Sequence, residues 1–162
     1  MANQPNGKSS LTPYVVAKGA QRLLDFMAAA FEAQIYLKVP NPDGSIGHAE
    51  ARIGDSVVMV FDSHQHWPST PAFLSLYVDD VDATVHRTIE LGAHLVTEVL
   101  TSGITGDRGG RLRDPAGNIW WIQTHQRDIT VEEMHTNFHD PNELAIMRHA
   151  QESFDRAMTT GT

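Results

Sequence analysis

The chain has 162 residues, 41% of them apolar, with a formal net charge of −8 and no cysteine. That length suits one domain or two small halves sharing a core. The lack of thiols excludes disulfides, thiolate zinc sites and a cysteine nucleophile, and the acidic balance argues against a nucleic-acid partner.

Residues 1–10 are polar and carry no apolar h-region, so they read as a disordered leader rather than a signal peptide. No later run approaches the ~20 apolar residues of a membrane span. The expected compartment is therefore the cytoplasm, with no membrane partner. Thr12 to Val16 reads as a strand. Ala20 to Ala30 reads as a helix, with Leu23, Leu24, Met27 and Phe31 at helical spacing. Strands follow at Gln34 to Val39, Gly47 to Arg52 and Ser56 to Asp62, the first two separated by the turn Asn41-Pro-Asp-Gly. The order then recurs. Phe73 to Val78 is a strand, and Asp80 caps a helix from Val81 to Leu91 that ends at Gly92. His94 to Val99, Arg111 to Arg113 and Ile119 to Thr124 are strands, the first two separated by a Gly-rich connection from Ser102 to Gly110.

Each half is thus strand, helix, strand, strand, strand, at an offset of roughly 60 residues that suits a duplicated module. The expected divisions are a first module over 11–68, a second over 69–128 and a helical extension over 129–162. In the extension, Thr130 with Glu133 fits a capping box and Asp140-Pro141 a helix start. Leu144, Met147, Ala150, Phe154 and Met158 make an apolar stripe that needs a cover.

The last hairpin is the most informative stretch. Asp114-Pro-Ala-Gly-Asn is a tight turn. Beyond it, Ile119, Trp121 and Gln123 face one way, and Trp120, Ile122 and Thr124 the other. Both faces are apolar. Trp120 and Ile122 are expected under a helix, and Trp121 and Gln123 toward a cleft.

The wording of the repeat resembles the vicinal oxygen chelate superfamily, also called the glyoxalase/bleomycin-resistance superfamily, and within it the PhnB-like branch. The stretches that carry this are Leu11-Thr-Pro-Tyr-Val-Val, Asp25-Phe, Pro42-Asp-Gly with His48-Ala-Glu-Ala-Arg-Ile-Gly-Asp-Ser, Tyr77-Val-Asp-Asp-Val-Asp-Ala, and Gly106-Asp-Arg-Gly-Gly-Arg-Leu-Arg-Asp-Pro-Ala-Gly-Asn. The resemblance implies an α+β fold: tandem βαβββ modules forming a curled mixed sheet around a cleft, here with an added C-terminal helix. It also implies a homodimer. The superfamily's metal enzymes hold a divalent ion on the first and last strand of each module. The resemblance carries those positions onto Leu11 or Thr12, Met59, Phe73 and Trp121, none of which suits a hard metal. No cofactor is therefore expected, and a divalent metal is the less favoured option.

The same substitutions describe an apolar pocket. Tyr14, Met59, Phe61, Phe73, Tyr77 and Trp121 offer polarisable and aromatic surface to a flat or conjugated ligand, and Ser75 and Gln123 add orienting hydrogen bonds. The alternative is that these side chains fill the cleft as core. His48 and Glu50 share one strand face and are the candidate catalytic pair, as acid and base or as ligands of a shifted metal site with His125. The alternative for them is a solvated His–Glu–Arg ladder ending in Arg52. Arg111 either grips a carboxylate or phosphate or steadies the hairpin; Arg113 is expected to pair with Asp114 or Asp107. The favoured function is metal-free binding of a small, aromatic or conjugated molecule. The other readings are an isomerase, cyclase or lyase using His48 and Glu50, and a structural dimer working through its tail helix.

Overall fold

A computed structural model describes residues 8–160, with the side chain of Thr160 left out. Most of the expected leader, residues 1–7, lies outside the described residues. The elements run β1 (Tyr14–Ala17), α1 (Ala20–Phe31), β2 (Gln34–Pro40), β3 (Ile46–Ile53), β4 (Ser56–Asp62), β5 (Phe73–Tyr77), α2 (Val81–Glu90), β6 (His94–Thr101), β7 (Asp107–Arg113), β8 (Ile119–His125), α3 (Val131–Asn137) and α4 (Pro141–Thr160). This is the duplicated α+β pattern of two βαβββ modules followed by helices. Each module builds its own four-stranded mixed sheet, ordered β1-β4-β3-β2 and β5-β8-β7-β6.

The chain divides into two units. Residues 8–72 with the turn 114–118 form the first, and residues 73–113 with 119–160 form the second. Two boundaries differ from the sequence reading. Thr12 precedes β1, which starts at Tyr14, and β7 starts at Asp107, so Gly109 and Gly110 of the Gly-rich connection are strand residues. A side chain at Gly110 would meet the Thr97 carbonyl oxygen at 3.0 Å on β6, so those glycines serve close strand approach rather than a loop.

In the first unit, α1 buries Leu23, Leu24 and Met27, and beneath them lie Ala49, Ala51 and Val60 of β3 and β4. Its start is held by a side chain from the end of β4: Asp62 Oδ1 accepts from the amides of Gly19 (3.0 Å) and Ala20 (2.7 Å), and Oδ2 from that of Ile46 (2.7 Å). An acidic group there also suits the helix dipole. Every residue of β2 is exposed, as an edge strand's can be.

The second unit repeats the plan with different chemistry. Thr124, at the end of β8, accepts from Val81 N at 2.9 Å and donates to Val78 O at 2.9 Å. Asp80 caps α2, accepting from Ala83 N at 2.9 Å. Asp80→Ala is expected to cost about 1 kcal/mol, the usual worth of an N-cap, read as a lowered urea midpoint with an unchanged m-value. Trp120 and Ile122 are buried on the α2 face of the sheet, as the alternation predicts.

The Asp114–Asn118 turn is built on a buried carboxylate. Asp114 Oδ1 accepts from the amides of Ala116 (2.8 Å) and Asn118 (2.9 Å), and Oδ2 from Asn118 Nδ2 (2.9 Å). Gly117 sits at φ 96°, the left-handed conformation such a turn needs. Asn118 Oδ1 also accepts from Ala72 N at 3.0 Å, which ties this turn to the end of the first unit's own chain.

The tail helices dock on the second unit. Thr130 and Glu133 form the predicted capping box of α3. The docked face of α4 only partly follows the predicted apolar stripe: Ala150 and Phe154 lie on it. Ser153 is its most buried side chain, with Ile146, Ala150 and Ala157 half-buried beside it, whereas Leu144, Met147 and Met158 stay exposed. The reason is polar. Ser153 Oγ lies 2.6 Å from Thr97 Oγ1, Arg111 Nη1 donates to Ala150 O (2.8 Å) and Arg113 Nη2 donates to Ala157 O (2.7 Å). Small residues on the docked face let two guanidinium groups reach the helix backbone. Arg113, expected to pair with Asp114 or Asp107, thus also serves the tail helix.

Candidate functional site

The predicted site residues fall into two groups, one per unit. In the first, Tyr14 (β1), His48 and Glu50 (β3), and Met59 and Phe61 (β4) lie on adjacent strands, with Tyr14 opposite Met59 and Glu50 opposite Met59 on the other side. Tyr14 packs edge-on against Phe61, ring centroids 5.0 Å apart. Glu50 does not sit in a solvated ladder: it is 3% exposed. Its carboxylate accepts from the Lys8 ammonium, the Tyr36 hydroxyl and His48 Nε2, the last at 3.0 Å. Those donors, Lys8 foremost, hold its pKa down to about 2. Tyr36 moves the other way, raised first by burial and then by the carboxylate beside it. Arg52 leaves the ladder too, its guanidinium lying 5.7 Å from the Tyr36 ring centroid.

With Nε2 turned to Glu50, His48 presents Nδ1 to the Tyr14 hydroxyl at 2.6 Å. A neutral imidazole donating from Nε2 accepts at Nδ1, so the arrangement is a chain Tyr14 O–H to His48 to Glu50. A carboxylate held this far down is a poor proton acceptor. Glu50 orients the imidazole, and His48 is the group able to take a proton. Lys8 and Tyr36 were missed by the sequence reading. Lys8 fell in the assumed leader, and Tyr36 lies on an edge strand with no polar motif around it.

In the second unit, Ser75 and Arg111 flank Trp121 on neighbouring strands. Gln123 is buried and donates from Nε2 to Ser75 Oγ at 2.9 Å. Tyr77 donates to Asp107 Oδ2 at 3.1 Å, and His125 Nδ1 lies 2.8 Å from Asp107 Oδ1. Asp107 and then Asp128 raise the His125 pKa; Tyr77 is raised by burial first and by Asp107 second. Phe73 is half exposed and meets Phe154 of α4 at 5.3 Å between ring centroids.

Between this sheet face and the tail helices lies a cavity of about 270 Å³. Leu100, Ile104, Trp121, Phe138, Ile146 and Met147 give it an apolar wall; Arg111, Gln123 and Asp107 supply polar groups. Trp121, Gln123 and Arg111 were legible as pocket residues from strand alternation. Phe138, Ile146 and Met147 were not placed there, although the uncovered tail stripe was a signal that this helix had to dock somewhere. Of the remaining predicted ligand residues, Tyr14, Met59 and Phe61 belong to the first unit, and Phe73, Ser75 and Tyr77 do not line this cavity.

The register also corrects the metal positions. Leu11 and Thr12 precede β1, and Tyr14 is the residue opposite Met59; Phe73 pairs with Ile119, and Ser75 is opposite Trp121. Neither the pair Tyr14 and Met59 in the first unit nor the pair Ser75 and Trp121 in the second contains a carboxylate or imidazole suited to a hard divalent ion. Among the described residues, no group of three or more His, Asp or Glu side chains could hold a metal ion. Nor, among them, is any helix long and apolar enough to cross a membrane.

Comparison with known proteins agrees with the fold. An uncharacterized protein of Mycobacterium bovis is 33% identical over 140 residues, covering 80% of this chain and 91% of that protein. The crystal structure of TioX from Micromonospora sp. ML1 superposes with a TM-score of 0.59 at 23% identity, over 75% of this chain and all of that one. The fosfomycin resistance protein FosX from Listeria monocytogenes gives a TM-score of 0.59 at 15% identity, over 78% of this chain and 97% of that one. At these identities the two structures speak for the fold alone. Residues 12–122 match the family model described as the Glyoxalase/Bleomycin resistance protein/Dioxygenase superfamily. With that match spanning both βαβββ modules, the chain belongs to the Glyoxalase/Bleomycin resistance protein/Dioxygenase superfamily.

Proposed function

We propose that this chain is a binding protein for a small, aromatic or conjugated organic molecule, taken up without a catalytic metal. The observation that carries this reading is the cavity of about 270 Å³ under α4, with an apolar wall and few polar groups. That composition is the usual recipe of a small-molecule site. Trp121, Gln123 and Arg111 are its ligand residues on the sheet side. Membership of the PhnB-like branch, a homodimeric state and a cytoplasmic location belong to the same proposal and rest on the sequence stretches quoted above.

A thermal-shift panel of aromatic metabolites and divalent metals tests it. A specific ligand at 100-fold its Kd stabilises by about 2.7 kcal/mol, and Ile146→Trp, which adds bulk to the cavity wall, is expected to abolish that shift. A shift produced by metals and lost on chelation would overturn the metal-free reading.

A second reading is catalytic and is favoured by the 2.6 Å contact of the Tyr14 hydroxyl with His48 Nδ1. Here His48, oriented by Glu50, takes the Tyr14 proton, and Tyr14 is the group that meets a substrate at the surface. His48→Gln would remove turnover in such an isomerase or lyase while leaving ligand binding in the second unit intact. Loss of both together would count against a separate site.

A further inference from the structure

Arg111 is a partly buried charge that lines the cavity. Its guanidinium carbon lies 4.7 Å from the Trp121 ring centroid and 5.3 Å from that of Phe154. One Nη1 hydrogen goes to the Ala150 carbonyl, and buried Nε has no hydrogen-bond partner. Among the described residues it forms no ion pair with a carboxylate. Burial lowers its pKa, the mark of a cation held away from water. Asp107, the carboxylate in the cavity wall, is engaged by Tyr77 and His125 instead.

The Trp121 indole, another N–H donor, is part of the same wall. Gly109 brings the opposing backbone close: a Cβ there would lie 3.1 Å from Trp121 Nε1. The cavity thus holds a guanidinium with an unpartnered Nε and no carboxylate bonded to it, while Asp107 in the same wall is already engaged elsewhere. Desolvating a guanidinium with no counter-charge is costly, and an incoming anion would offset that cost.

We infer that the ligand of this cavity is an organic anion: an apolar or aromatic body seated against Leu100, Ile104, Phe138 and Ile146, and a carboxylate or equivalent acidic head taken by Arg111 and the Trp121 N–H. This rests on the cavity being the ligand site and specifies the class of ligand. Arg111 is suited to it, since a planar fork of N–H groups matches a carboxylate and its faces remain stacked on the rings. The head binds at the Arg111 edge left free by those rings, and the body fills the apolar remainder.

Matched pairs of probes test this by calorimetry on the full chain: 2-naphthoate against 2-naphthamide, indole-3-acetate against indole-3-acetamide, and decanoate against decanol. Each acid that binds is expected to do so at least about tenfold more tightly than its neutral partner, as a charge-assisted hydrogen bond implies. Arg111→Met is expected to erase that preference. Neutral partners that bind as tightly as the acids would overturn the anion assignment and leave the cavity reading standing. No binding by any of the six compounds would overturn both. The comparison of acid with neutral partner on the unmodified chain decides the matter even where Arg111→Met fails to fold.

Discussion

Truncation after Asp128 is expected to abolish ligand binding in the second unit and to lower its stability on the order of 3–6 kcal/mol. The removed residues 129–162 supply Phe138, Ile146, Met147, Ala150 and Gln151 of the cavity wall. They also supply the carbonyls of Ala150 and Ala157 that accept from Arg111 and Arg113, and the Ser153 partner of Thr97. Without them, two guanidinium groups and the Trp121 ring return to water, and no enclosed space remains. The experiment is a denaturant titration of the truncated chain beside the full one, with ligand titration and dye binding to exposed apolar surface. Retained binding at unchanged affinity would show that the ligand sits elsewhere and that the tail is accessory.

Replacement of Glu50 is expected to have the next largest effect, in the first unit. Glu50→Ala should cost about 2 kcal/mol, because it strips the shared acceptor from Lys8, Tyr36 and His48 at a buried position. Lys8 and His48 are partly exposed and can turn to water, which keeps the cost below that of a fully enclosed ion pair. The same carboxylate predicts a pH dependence. Its pKa is held at about 2 in the folded chain against an ordinary value of 4.5. Glu50 therefore contributes its full stabilisation above pH 4.5, and the contribution is lost as pH falls from there toward 2. Glu50→Gln should flatten that part of the acid limb. An unchanged acid limb in the variant would mean that other carboxylates account for it.

The two units make the divergence of the duplicated module visible. Glu50 pairs with Met59 across β3 and β4, and Arg111 pairs with Trp121 across β7 and β8. The two charged residues thus hold equivalent places in the repeat and carry opposite signs. In the first module the place is filled by a carboxylate that three donors satisfy. In the second it is filled by a guanidinium that no acid satisfies. The sequence displayed both residues, but spacing alone says only that each shares a strand face with its i±2 neighbours. Whether a charge is matched depends on partners far along the chain, Lys8 for Glu50 and Ala150 for Arg111.

Much of the architecture was legible in advance because it rests on local rules. Period-2 alternation at Ile119–His125 assigned Trp120 to the helix-covered face and Trp121 to the other, and the burial of Trp120 follows it. Caps at Asp80 and Thr130 and the Asp114–Asn118 turn are side-chain to backbone bonds over two to four residues, so their signals stand in the sequence itself. The tail helix was legible as a helix but not in its orientation. Of the apolar stripe Leu144, Met147, Ala150, Phe154 and Met158, only Ala150 and Phe154 lie on the docked side, which is centred on Ser153 and on two arginine hydrogen bonds to the helix backbone.

By itself, then, the sequence determined the duplicated module, the strand faces, the turns and the family, since each follows from patterns over a few residues or from quoted motifs. Tertiary structure decided the closure of the second sheet by α4, the cavity that this closure creates, and the contrast between a neutralised Glu50 and an uncompensated Arg111. These depend on long-range contacts whose energies come from desolvation and charge, and neither property is carried by local spacing.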